Sequence, residues 1–223
     1  MKKFLIAYYS RTGGTEKMAV RIQNELEKRG HEVKIERIKL EKELSSWILL
    51  ILDFLIMFQF LFELIVKKEF LQRMEIKSLL YPDVSEFDGI CVMAPKWGSV
   101  PPPICRYLDK VKGVDNKKVG FVGVYYSPPI PYMETGMLFW QFKKMIEKRN
   151  GKLKAMLGVT SDFMEPGVKS YLGVAWIFNL ICYGKPFPKE WKKRSPYFIS
   201  DKFKAKPPYE NEAIEKFCDK LEA

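Results

Sequence analysis

Lys3-Phe4-Leu5-Ile6-Ala7-Tyr8-Tyr9-Ser10-Arg11-Thr12-Gly13-Gly14-Thr15 is the stretch on which the reading of this chain turns. Phe4 to Tyr8 is a short unbroken apolar run, the pattern of a parallel strand buried on both faces. The run stops at Ser10, and small, hydroxylated or glycine residues follow. From Thr15 the period changes: Met18, Ala19, Ile22 and Leu26 fall on one helical face, and Lys28-Arg29-Gly30 supplies the cations and glycine that favour a helix C-terminus. A strand, a Gly/Ser/Thr loop and a helix N-terminus in series make an anion site, because backbone N–H groups converge there and Ser10, Thr12 and Thr15 add hydroxyl donors. A Walker A loop would end in Lys-Ser/Thr, which is absent, and so is the G-x-G-x-x-G dinucleotide fingerprint.

Ser10 to Thr15 resembles the phosphate loop of the flavodoxins, [ST]-x-T-G-x-[ST], placed as in that family directly after the first strand. The resemblance implies that Ser10, Arg11, Thr12, Gly13, Gly14 and Thr15 hold the 5′-phosphate of FMN, mainly through main-chain amides. A plain glycine-rich turn between strand and helix is the alternative.

The rest of the chain fits that family's architecture. His31 to Ile38 alternates imperfectly, as a half-exposed edge strand does, whereas Asp88 to Ala94 and Lys118 to Tyr126 are continuous and central. Leu153, Ala155, Leu157 and Val159 alternate and predict a second edge strand. Helices are predicted after Pro101-Pro102-Pro103, around Leu138, Phe142, Met145 and Ile146, and over Tyr209 to Leu221. Five strands with these patterns predict a single α/β domain over 1–223, with a flavodoxin-like doubly wound parallel sheet of order 2-1-3-4-5. Its ligand is expected beyond the C-terminal strand ends, near the switch between strands 1 and 3. Two stretches fall outside this core: an insertion over 41–82 and another over 161–206. Excising both leaves a chain about the size of a minimal flavodoxin.

If phosphate sits after strand 1, the flavin ring should meet the loops after strands 3 and 4. By resemblance, Pro95, Lys96, Trp97, Gly98 and Ser99 form the first of these loops. Trp97 is then the stacking aromatic and Gly98 the peptide facing flavin N5, where glycine permits a flip at low steric cost. Tyr126 and Ser127 are the contacts expected from the strand-4 loop, which lacks the acidic residues of many electron-carrier flavodoxins. With Arg11 and Lys96 in these loops, a reduced flavin anion should be less destabilised than in an acidic flavodoxin, and the potential higher. No side-chain nucleophile or acid/base pair stands out.

Composition adds bounds. The 223 residues carry a net charge of +11, unusual for a typically acidic family and indicative of an anionic partner or surface. Four cysteines without metal-ligand spacing and a single histidine suit a reduced cytoplasmic protein without structural zinc. No signal peptide is evident, since the N-terminus enters a strand directly.

The insertions set the expected partners. Trp47 to Val66 is apolar apart from Asp53, Gln59 and Glu63, and by hydropathy alone would be a transmembrane helix. A single crossing would place strands of one sheet on opposite sides of a bilayer. The stretch is therefore expected to lie in an interface, re-enter as a hairpin, or pack on a partner subunit. Tyr171 to Cys182 is apolar, and Lys185 to Lys206 carries eight Lys/Arg against two acids among aromatics. Apolar and basic signals together, over 47–66 and 171–206, predict peripheral contact with anionic lipid on the inner face of the cell membrane. The alternative is that both insertions pack together as an extra core layer or form a dimer interface. Nucleic acid is disfavoured, because the charge is local and no nucleic-acid motif accompanies it. The expected function is FMN-dependent redox transfer to a redox protein, a quinone-like acceptor or a membrane-associated one. The competing readings are an NAD(P)H-dependent flavin oxidoreductase and a non-redox interaction protein that has lost FMN.

Overall fold

The structure, a computed structural model, describes residues 1–11, 13–42, 74–95, 100–125, 136–160, 198–200, 205–206 and 210–223. In chain order these form β1 (Lys3–Tyr8), α1 (Gly14–Lys28), β2 (Glu32–Arg37), β3 (Gly89–Pro95), α2 (Pro102–Lys110), β4 (Lys118–Tyr125), α3 (Gly136–Glu147), β5 (Lys152–Thr160), β6 (Phe198–Ser200), β7 (Ala205–Lys206) and α4 (Glu210–Glu222). The sheet order is β2-β1-β3-β4-β5-β6-β7. The first five strands are mutually parallel, and Phe4 sits at the centre of the register, opposite Val33 on one side and Gly89 on the other. This is the flavodoxin-like doubly wound sheet in the order 2-1-3-4-5.

Burial explains why the strands read as they do. Every residue of β3 is buried, and so are Phe4 to Tyr8, because helices cover both faces of the centre. On one face Met18, Ile22 and Leu26 of α1 pack with Ile214, Phe217 and Leu221 of α4. On the other, Ile104, Tyr107 and Leu108 of α2 join Leu138, Phe142 and Ile146 of α3. Phe121 of β4 stacks on Phe142 with centroids 4.0 Å apart. Near β2 that second face is covered by irregular chain carrying Met74, Ile76, Val84 and Phe87. Glu36, itself buried, accepts the Tyr81 N–H at 2.8 Å and ties this chain to the sheet. At the end of the sheet away from the site, Arg29 clamps α1 to α4 through Glu25, Asp219 and Glu222 at 2.6–2.9 Å.

One expectation needs correcting. β5 is not the edge, because β6 pairs antiparallel with it across Leu157–Val159, and β7 follows. The exposed residues that made β5 look like an edge, Lys152 and Lys154, lie in its N-terminal half, which β6 does not reach.

The excursion between β2 and β3 leaves and returns at one place. Leu40 bridges Ile76 antiparallel, the Glu41 N–H donates to the Glu75 carbonyl at 2.9 Å, and the Lys77 N–H donates to that of Lys39 at 2.8 Å. This neck stands beyond the C-terminal end of β2. Among the described residues no helix is long and apolar enough to cross a membrane. The apolar stretch 47–66 lies outside them, as does most of 171–206.

Candidate functional site: the loop after the first strand

The site is built at the C-terminal end of β1, between β2 and β3. Pairing continues just past the strand: the Tyr9 N–H donates to the Met93 carbonyl at 3.1 Å, and the Ile38 N–H to the Tyr8 carbonyl at 2.8 Å. The chain leaves the sheet at Ser10. Pro95, two residues beyond Met93, the partner of Tyr8, closes the neighbouring strand alongside it.

Gly13 makes the turn into α1 at φ 86°, ψ −17°, the left-handed region that only glycine adopts without cost. It is the N-cap residue and offers no side-chain cap. The first intrahelical bond runs from the Lys17 N–H to the Gly13 carbonyl at 2.9 Å. The amides of Gly14, Thr15 and Glu16 therefore precede the helical ladder, at the positive end of the helix. Thr15 is buried. Ser10 is 9% exposed, and its Oγ finds no hydrogen-bond partner among the described residues. A buried hydroxyl without a partner is costly, and beside an uncapped helix N-terminus its natural complement is an anionic oxygen.

One acid lies in the first helical turn, and the fold engages it. Glu16 accepts from the Tyr8 hydroxyl at 3.1 Å and from Arg37 Nη1 at 3.3 Å. Burial raises the Tyr8 pKa, and the Glu16 charge raises it further, so the phenol stays a donor. The carboxylate is thereby held by β1 and β2 while the loop amides remain for an anion. The Glu16 pairing spans two elements, so the sequence alone did not show it. Neither did it show Gln141 of α3, whose Oε1 accepts the Val100 N–H at 3.1 Å and fixes the return of the strand-3 loop into α2.

Of the residues singled out from sequence, Ser10, Arg11, Gly13, Gly14, Thr15 and Pro95 fall on these two adjacent strand ends. Arg11 is exposed. Thr12, Lys96, Trp97, Gly98, Ser99, Tyr126 and Ser127 lie outside the described residues. The donor set that is described fits a phosphate monoester: a glycine turn, three leading amides and a buried hydroxyl. No group of His, Cys, Asp and Glu that could hold a metal occurs among the described residues.

Comparison with solved structures agrees with the fold. A flavoprotein from Lactobacillus acidophilus NCFM, solved in complex with FMN, superposes with a TM-score of 0.51 at 19% identity, covering 73% of this chain and 95% of that one. A flavoprotein from Bacteroides uniformis gives 0.49 at 16% identity over 70% and 90% of the two chains. Oxidised flavodoxin 2 from Bacillus cereus gives 0.44 at 21% identity over 78% and 94%. At these identities the likeness concerns the fold, and it is the first of the three that supports it. No protein-family model and no curated protein sequence matches the chain.

Proposed function

We propose that this protein is an FMN-binding redox protein of the flavodoxin-like fold, handing electrons to a quinone-like or membrane-associated acceptor. The observation that carries the cofactor is the buried Ser10 Oγ, without a partner among the described residues, beside the uncapped N-terminus of α1 at the β1/β3 switch point where such sheets take their ligands. Ser10, Gly13, Gly14 and Thr15 would hold the phosphate, and Pro95 begins the loop that would meet the ring. When bound, FMN supplies the electron-transfer chemistry, and the protein's task is to bind, orient and tune it. The FMN in the Lactobacillus flavoprotein supports the same choice of cofactor.

The acceptor is read from charge and hydropathy. A net charge of +11, the apolar stretch 47–66 and the apolar-basic stretch 171–206 support peripheral attachment to the cytoplasmic face of an anionic membrane. The test is the visible spectrum of the purified protein, with the released cofactor identified. A colourless protein that takes up no added FMN would end the proposal. Reoxidation of the reduced protein by a soluble quinone analogue tests the acceptor class. Bleaching driven directly by NAD(P)H would instead favour a nicotinamide-dependent oxidoreductase.

A further inference from the structure

The neck of the 42–73 excursion sets two lysines face to face. Lys39 and Lys77 oppose each other across one backbone hydrogen bond of 2.8 Å. Beside them Leu40 and Ile76 turn into the core at 2% and 1% exposure, so the two ammonium groups turn outward. Like charges directly opposed on paired strands repel. Neither ammonium group has an ion-pair or hydrogen-bond partner among the described residues. The nearby Arg37 is engaged by Glu16. Lys39 and Lys77 line a cavity of about 320 Å³ together with Tyr9, Ser10, Arg37 and Glu41. Glu41 leaves the unpaired set cationic.

We propose that this cavity is a second anion site, on the β2 side of the phosphate loop, which takes the phosphate headgroup of an anionic phospholipid. A phosphate between Lys39 and Lys77 replaces their repulsion with two charge-assisted contacts. Lipid is the source because of where the cavity stands. Lys42 follows the neck directly, and the apolar stretch begins five residues later at Trp47, a reach of at most about 18 Å. A bilayer that accepts 47–66 therefore brings its headgroup layer to within that distance of the cavity. This inference rests on the membrane attachment proposed above.

The test is sedimentation of the full-length protein with phosphatidylcholine vesicles, plain or doped with phosphatidylglycerol. Lys39→Gln/Lys77→Gln is compared with Lys143→Gln/Lys144→Gln, an equal charge change on the exposed face of α3. Each lysine at an anionic surface contributes about fivefold, so the neck pair should weaken binding to doped vesicles about thirtyfold and the α3 pair less than about twofold. The neck variant should unfold no earlier than the parent, since it removes a repulsion. Equal losses in the two variants would overturn the site and leave membrane attachment standing. If the parent sediments with neither vesicle, the attachment itself fails. Binding of inorganic phosphate that needs Lys39 and Lys77 but no vesicle would overturn the lipid assignment in favour of a soluble anion.

Discussion

Replacing Ser10 by alanine should move two measurements in opposite directions. In the cofactor-free protein the hydroxyl is buried with no partner among the described residues, whereas in the unfolded chain it is hydrated. An unsatisfied buried polar group costs about 1–3 kcal/mol. Ser10 retains 9% of its exposure, so the lower end applies, and the alanine variant should be more stable by about 1 kcal/mol. For a chain of this size that is a rise of about 2–4 °C in Tm. In the proposed FMN complex the same hydroxyl would donate to a charged phosphate oxygen, a contact of about 1.5–3 kcal/mol. Its loss should weaken FMN binding by about tenfold to 150-fold. Urea unfolding of the cofactor-free protein and fluorescence titration with FMN read the two effects separately. Riboflavin, which lacks the phosphate, isolates the contact: its affinity should be the same for parent and variant. A cofactor-free variant less stable than the parent would mean that the hydroxyl already has a partner. Unchanged FMN affinity would place the phosphate elsewhere, and either result would refute the reasoning.

Gly13→Ala forces a β-carbon into a left-handed turn and should cost about 1–2 kcal/mol in stability by urea unfolding; no change would mean that the turn relaxes freely. Arg29→Ala removes contacts to Glu25, Asp219 and Glu222 from a side chain only 20% exposed, and should lower stability by about 2 kcal/mol in denaturant unfolding. Arg29→Lys should recover part of this, and a neutral alanine variant would show that α4 docks by its apolar face alone. Gly120→Val places its Cβ 2.6 Å from Phe217 Cζ at the α4–β4 contact, and overpacking of about 1–3 kcal/mol should appear as a lowered Tm. Burial pushes the Cys218 thiol from 9.0 up to about 12. A thiol whose folded pKa is raised contributes no loss below the unfolded value, and its stability contribution falls as pH rises from about 9 to 12. Cys218→Ala should flatten that alkaline limb of the unfolding curve, and native Cys218 should resist alkylation near neutral pH.

The strands were legible where burial acts on consecutive residues. β1, β3 and β4 are covered on both faces, so every position is under the same pressure and the apolar run is continuous. β2 showed its edge character through Val33 and Ile35 set between Lys34 and Glu36: Lys34 is exposed as that pattern implies, whereas Glu36 is buried and accepts the Tyr81 N–H. β6 was not legible. A strand of three residues inside a basic-aromatic tract has no period to detect, and what defines it is its partner, Leu157–Val159. The loop after β1 was legible because glycine and hydroxyl residues must lie together in sequence to make an anion turn. Gln141 was not, since its role is to hold Val100 across 41 residues of chain.

The same distinction between local and distant signals bears on the apolar excursion. Read alone, Trp47 to Val66 is a membrane span, and what argues against a single crossing is its context. The neck sharpens that context. Residues 39–41 and 75–77 are hydrogen-bonded to each other, and both flanks are packed into one core by Leu40 and Ile76. Chain leaving at residue 42 must return to the same spot by residue 74, so an excursion that enters a bilayer must come back out on the side it entered. A neck of this kind stands at the same end of the sheet as Ser10 and Pro95, because β1, β2 and β3 are parallel and end together. Attachment through 47–66 would therefore orient the proposed cofactor site towards the surface that binds it, which is the geometry a lipophilic electron acceptor requires.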